Sequence, residues 1–270
     1  MTVVDGLILG TVQGLTEFLP VSSSGHLILA REVLGINVAG GLAFDAILQL
    51  GTILAVFVYF RTTIFNLIFR DGIRMVTGRS KEVKKEDRNL LLGLIVGTIP
   101  AFIVGLLLED LMDSTFRSAE IVAVTLILGS ILFFLAERFA KQKDTDPTVN
   151  QSWWVGVFQT LALVPGVSRS GATISGGLLL GLTRESAARL SFLLSLPIIT
   201  GSGLKKLVDL VQAGTFDAEW TTLIVGFVSA FLVGFACIRF LLDYLKKHTL
   251  AVFAWYRIAL AVLVLILVRV

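Results

Sequence analysis

Charged residues are scarce in this sequence. Only 16% of its 270 residues are Asp, Glu, Lys or Arg, where a soluble domain carries about 25%. With 55% hydrophobic residues and a mean hydropathy of +0.87, that shortage excludes an ordinary water-soluble globule. There is one cysteine, Cys237, inside an apolar run, which excludes an intramolecular disulfide and a thiolate metal cluster. The first twenty residues contain no Lys or Arg, and apolar sequence continues beyond them, so no cleaved signal peptide is expected. The net charge of +3 does not point to nucleic acid. Its basic residues cluster in short stretches between apolar segments, as the positive-inside bias of membrane proteins requires.

What is present is a series of long apolar runs. Residues 90–108 and 221–238 carry no charge, and each is long enough to cross a hydrocarbon core of ~30 Å at ~1.5 Å per residue. Six segments read as full spans: 43–60, 90–108, 119–137, 187–204, 221–242 and 249–268. Two more, 3–30 and 152–181, are apolar but interrupted by Pro, Gly and Ser. Broken backbone is not tolerated against lipid, so these predict re-entrant hairpins buried in protein or lining a wet cavity. The 61–89 connection holds eight basic residues against four acids, while 109–120 holds Glu109, Asp110, Asp113 and Glu120 against Arg117. The first is expected inside and the second outside. Alternation then places 138–151 and 243–248 inside, 203–220 outside, and both termini outside.

The two broken segments repeat each other. At an offset of 146, Gly10/Gly156, Gln13/Gln159, Leu15/Leu161, Val21/Val167, Ser22/Ser168, Ser24/Ser170 and Gly25/Gly171 are identical. A second echo pairs the segments 101–105 and 230–234. The chain therefore reads as one integral membrane domain, 1–270, built from two copies, about 1–145 and 146–270. Each copy is a broken hairpin followed by three spans, and an odd number of spans inverts the second copy. Inverted-topology repeats place their ligand site near the midplane, where the broken helices converge.

Gln13 and Glu17 stand four apart and so share a helix face. An acid in an apolar segment is a functional candidate by default; a purely structural Glu17, protonated or paired with Arg169, is the alternative. Pro20-Val-Ser-Ser-Ser-Gly-His26 supplies three hydroxyls and an imidazole at a helix start, a plausible cradle for phosphate. Among Ser22, Ser23 and Ser24, at least one is expected only to cap the helix. His26 is a candidate for proton transfer or orientation. In the other break Arg169 offers a fork that clamps phosphate oxygens and stays charged. Its place in the repeat is that of Ser23, so the two should face each other. Ser168, Ser170 and Thr173 can donate to the same anion or cap the next helix. Asp45 and Gln49 are weaker cavity candidates. Trp255-Tyr-Arg257, like Trp153 and Trp154, reads as an interfacial belt, and Arg184, Glu185 and Arg189 as a solvated or interfacial helix start.

Gln13-Gly-Leu-Thr-Glu17 with Phe-Leu-Pro-Val-Ser-Ser-Ser-Gly-His26 resembles the (E/Q)xxxE region and Ser/His loop of the bacterial undecaprenyl pyrophosphate phosphatases of the bacitracin-resistance type. Pro165-Gly-Val-Ser-Arg-Ser-Gly-Ala-Thr173 is similar to the PGxSRSxxT motif of that family. The segments 44–51 and 99–102 and the chain length resemble it too. The acid-phosphatase-like type 2 lipid phosphatases share fragments only, since the His they need six residues after the Arg is Ser175 here.

The spans read as an all-α polytopic protein whose outward-facing first break predicts access from the periplasmic side, and the resemblance implies a phosphatase of the bacterial inner membrane. It would cleave undecaprenyl pyrophosphate to the monophosphate carrier used in peptidoglycan synthesis, with bacitracin resistance as a consequence. It also implies a divalent cation, Mg2+ or Ca2+, at Gln13 and Glu17, although Gln13 offers only a neutral oxygen. Ser23 is the best nucleophile, with Ser22 and Ser24 as alternates and direct attack by water as the rival chemistry. His26, Glu17 and Arg169 complete the expected catalytic set; Ser22, Ser24, Ser168, Ser170 and Thr173 bind the phosphates. The expected partners are the lipid and the membrane, with no nucleic acid, and a homo-oligomer is compatible with the sequence. A lipid flippase is the competing function; a purely structural protein leaves Glu17, His26 and Arg169 unexplained.

Overall fold

A computed structural model describes residues 1–36, 41–115, 119–212 and 220–267. The molecule is all-helical, and among the described residues extended pairing is confined to one isolated bridge between Asp144 and Leu182. In chain order the helices are α1 (Val3–Phe18), α2 (Ser23–Leu34), α3 (Gly41–Tyr59), α4 (Arg61–Phe65), α5 (Ile73–Val76), α6 (Lys85–Thr115), α7 (Ala119–Phe139), α8 (Val149–Thr160), α9 (Arg169–Leu179), α10 (Arg184–Gln212), α11 (Trp220–Leu245) and α12 (Ala251–Leu267).

Both interrupted segments are broken as expected. α1 opens on a capping box, with Asp5 N donating to Thr2 Oγ1 and Thr2 N to the Asp5 carboxylate. α8 opens the same way on Thr148 and Gln151, 146 residues later. Each arm stops before a proline, because the pyrrolidine ring excludes the residue ahead of it from helical backbone; Leu19 and Val164 are extended. The chain then turns through Ser22 (φ 77°) and Ser168 (φ 75°) into α2 and α9. Two serines in the left-handed region at corresponding places are a costly conformation for a side chain with a Cβ.

Two pairs of helices meet backbone to backbone. A Cβ on Gly10 of α1 would lie 2.3 Å from the Gly226 carbonyl oxygen of α11, and one on Gly156 of α8 would lie 2.0 Å from the Gly97 carbonyl oxygen of α6. Lipid gives apolar side chains no reason to associate, so such approaches of small residues carry helix packing in a membrane. Behind the breaks the core is apolar, with Phe18, Phe133, Ile174, Leu178, Phe192 and Ile238 buried together and Phe18 edge-on to Phe192 at 5.3 Å.

Four described helices are long and apolar enough to cross a membrane: 85–108, 120–139, 184–208 and 220–245. The expected span at 43–60 is helical, but it continues past a 77° bend into 61–76, and the pair counts as a fifth crossing only if taken together. The expected last span is a shorter apolar helix, Ala251–Ile266. The stretch 61–89, read from its charge as a connection, is helical as far as Val76 and includes a π-helical segment, Asn66–Gly72. It folds because Ile64, Leu67 and Asp71 are buried, with Asp71 bonded by Arg70. Of the outer connections, Arg117 and residues 213–219 lie outside the described residues, as do the side chains of Glu109, Asp110 and Asp113.

Candidate active site

Glu17, in the last turn of α1, carries a buried carboxylate on which both breaks converge. Its Oε2 accepts from Gln13 Nε2 at 2.9 Å, one helical turn earlier, and from Ser23 Oγ at 2.7 Å, at the start of α2. Its Oε1 accepts from Arg169 Nη2 at 2.8 Å, from the first residue of α9. The side chains of this ion pair are 6% and 12% exposed. The sequence expectation that Arg169 and Ser23 meet is therefore realised, with Glu17 between them. Arg169 also donates to the Ser191 carbonyl of α10.

The remaining candidates divide. Ser168 caps α9, its Oγ accepting from Gly171 N at 3.2 Å. Ser22 occupies the same place before α2 yet makes no side-chain cap bond, so the first turn of α2 keeps its N–H groups for another acceptor. Ser22 Oγ lies 3.5 Å from Ser24 Oγ, as Ser168 Oγ lies 3.2 Å from Ser170 Oγ. Ser24 is exposed, whereas Ser170 is buried and reaches the Leu19 carbonyl of the opposite break. Thr173 is turned inward, bonded to the Arg169 carbonyl at 2.7 Å and to Ser191 Oγ at 2.6 Å; its bonds hold the base of Arg169 rather than face Glu17.

His26 is turned toward α12. Its Nδ1 lies 2.7 Å from the Ser22 carbonyl and its Nε2 2.7 Å from the Tyr256 hydroxyl, with the two rings stacked. A carbonyl only accepts, so Nδ1 carries the hydrogen and Nε2 is the acceptor of the neutral ring. Asp45 pairs with Arg31 of α2, and Gln49 is half-buried.

One expectation is corrected here. Arg257 is not a snorkelling residue: it is 0% exposed. Its guanidinium donates to the carbonyls of Pro20 in the first break, Gly166 and Val167 in the second, and Thr125 and Leu126 in α7. Of its sequence neighbours, Trp255 is exposed as a belt residue should be, and Tyr256 serves His26. Arg184, Glu185 and Arg189 do stand at the start of α10, Arg189 exposed and the other two part-buried. Arg184 bonds Glu137 of α7 at 3.0 Å, and Glu137 also accepts from Leu250 N ahead of α12.

Among the described residues no three His, Cys, Asp or Glu side chains gather to hold a metal. Gln13 Oε1, however, is buried and without a hydrogen-bond partner, an amide oxygen left bare beside a carboxylate. That donor pair suits a hard cation that takes its other ligands from phosphate and water.

A multi-pass membrane protein with an acid, a hydroxyl and an arginine joined at two helix breaks has, by class, the groups that bind and act on a phosphorylated molecule. The family model for the bacitracin resistance protein BacA matches residues 6–263, and the chain belongs to that family. Similar proteins include the undecaprenyl-diphosphatase of Elusimicrobium minutum, 42% identical over 266 residues and covering 98% of both chains. That of Hahella chejuensis is 42% identical over 96% of both. That of Kineococcus radiotolerans is 44% identical over 99% of this chain and 94% of its own. The resemblance read from the two breaks is borne out over nearly the whole length.

Proposed function

We propose that this chain is an undecaprenyl-diphosphate phosphatase, releasing inorganic phosphate and returning undecaprenyl phosphate to peptidoglycan synthesis, with bacitracin resistance as a result. Relatives of that name at 42–44% identity over nearly the full length support the reaction. The observation that carries the mechanism is the Glu17 carboxylate, shared by Ser23 and Arg169. Glu17 can only accept, so the Ser23 hydroxyl proton already points at a base. Ser23 Oγ attacks the terminal phosphorus, its proton passes to Glu17, and the bridging P–O bond breaks with undecaprenyl phosphate as leaving group. Water then attacks the phosphoserine and inorganic phosphate leaves: Glu17 returns its proton to the departing Ser23 Oγ, and His26 takes the proton of the water once its Nε2 gives up the Tyr256 hydroxyl. Arg169, exchanging Glu17 for phosphate oxygens, holds the charge, helped by Ser168 and Ser170 and by the uncapped start of α2 beside Ser22 and Ser24. Thr173 supports this clamp from behind.

A magnesium or calcium ion fits Gln13 and Glu17, and would neutralise charge on the diphosphate when bound. The architecture we infer is an inverted repeat of six spans and two re-entrant hairpins in the inner membrane, with the site open to the periplasm. What supports it is the exchange of partners. Gly97 and Gly226 stand 129 residues apart, the offset of the second sequence echo, and they receive Gly156 and Gly10 in turn.

The test is phosphate release from undecaprenyl diphosphate by purified protein, with magnesium and with chelator, beside Arg169→Ala. Metal-dependent release that collapses in the variant is expected. Redistribution of the lipid between leaflets without free phosphate would instead make the protein a flippase. A phosphate ester trapped on Ser23 supports the two-step route, and near-normal turnover by Ser23→Ala would sink it in favour of direct attack by water.

A further inference from the structure

Arg257 poses a question that the reaction above does not use. Burying an ion costs several kcal/mol even after relaxation, and no ion pair of Arg257 with a carboxylate is found among the described residues. The charge is met by carbonyl dipoles drawn from α7 and both breaks, and by the Phe133 ring, whose centroid is 4.8 Å from the guanidinium carbon. The neighbourhood is shaped to receive it. A Cβ on Gly129 would lie 2.2 Å from Arg257 Nη2, and one on Gly166, at φ +93°, would lie 1.9 Å from Thr125 Oγ1. Thr125 in turn bonds the Pro165 carbonyl at 2.6 Å.

Carbonyl oxygens are the wrong lining for a phosphate site, and a chain that breaks a helix twice exposes several of them. Three of those in the breaks, on Pro20, Gly166 and Val167, are gathered on Arg257. A trans peptide holds its N–H opposite its C=O, so the Ser168 N–H points away from Arg257. We propose that Arg257 is a positioning residue for the diphosphate. It withdraws the negative ends of the break peptides from the anion and sets a permanent positive charge behind the start of both α2 and α9. The proposal rests on the phosphatase reading for its substrate, but its anion-binding core can be tested apart from hydrolysis.

The experiment compares full-length wild type, Arg257→Lys, Arg257→Met and Gly129→Ala in detergent. It measures kcat and KM for undecaprenyl diphosphate, and the rise in melting temperature given by inorganic pyrophosphate. Arg257→Lys keeps the charge but not the fork; its KM is expected to rise roughly tenfold or more, with a reduced pyrophosphate shift. Gly129→Ala retains the arginine and displaces it, so the same two changes are expected should the Arg257 variants fail to fold. A cooperatively melting Arg257 or Gly129 variant with wild-type KM and wild-type pyrophosphate shift would overturn the proposal and leave Arg257 a packing residue. Wild type that releases no phosphate would instead defeat the phosphatase reading, while the pyrophosphate shifts would still decide this one.

Discussion

Glu17 holds three donors on one carboxylate, from Gln13, Ser23 and Arg169, and the chemistry turns on which of them leaves first. Replacing Glu17 by Gln keeps the shape and removes the base. Turnover is expected to fall roughly 100-fold or more while the protein still folds, checked by phosphate release beside a melting curve. Gln13→Glu supplies a second carboxylate where Oε1 is bare, so the magnesium concentration for half-maximal activity should drop. An unchanged magnesium titration would remove Gln13 from the metal site. At this scale Glu17, Ser23 and Arg169 were legible, because polar residues within apolar segments stand out against their background. Arg257 was not. Its partners are all backbone carbonyls, which leave no mark in a sequence, and beside Trp and Tyr it looked like membrane-surface anchoring.

The helices show where the hydropathy pattern was sufficient and where it misled. The two breaks followed from Pro, Gly and Ser inside apolar runs, and both fall within a residue or two of those signals. The 61–76 stretch escaped because its Arg61, Arg70 and Arg74 outweigh an apolar face that includes Ile64 and Leu67. Helices α6 and α10 overrun their apolar windows at both ends, since charged turns continue a helix without lengthening its lipid-facing part. The close contacts give a prediction at this scale. Gly10→Val and Gly156→Val each drive a side chain into a carbonyl of the facing helix, and should cost about 1–3 kcal/mol each, read from detergent unfolding midpoints. A value near zero for both would mean that the helix pairs can part freely. Ser22→Gly, by contrast, relieves the φ of 77° and should leave stability equal or higher, with any loss confined to phosphate release.

For the whole molecule the prediction concerns orientation. Charge bias puts the 61–89 stretch in the cytoplasm and the start of α1 outside. In a Cys237→Ser background, Thr2→Cys should react with an impermeant maleimide on intact cells whose outer barrier is open. Lys81→Cys should react only after the inner membrane is breached. Both positions are exposed, so the reverse pattern would invert the assignment and turn the site inward. The likeness of the two breaks was legible because a repeat of Gly, Gln and Ser at a fixed offset does not arise from apolar composition, and the capping boxes and the two strained serines recur at that same offset. The number of crossings was less so, because a bend of 77° and a short last helix are decided by packing that no hydropathy window sees.

The glycine contacts also govern how the molecule can move. Where two helices touch through their main chains, neither can slide or roll without a carbonyl striking a Cα, so α1 with α11 and α8 with α6 act as stiff girders. α2 is a light panel by comparison. It leans chiefly on α1 and α7, exposes Glu32, Val33 and Leu34 at its far end, and is tied to α3 through Arg31 and Asp45. An isoprenoid chain entering sideways from the bilayer would therefore displace α2 more readily than either girder, and α2 is the helix whose other end carries Ser23 and His26.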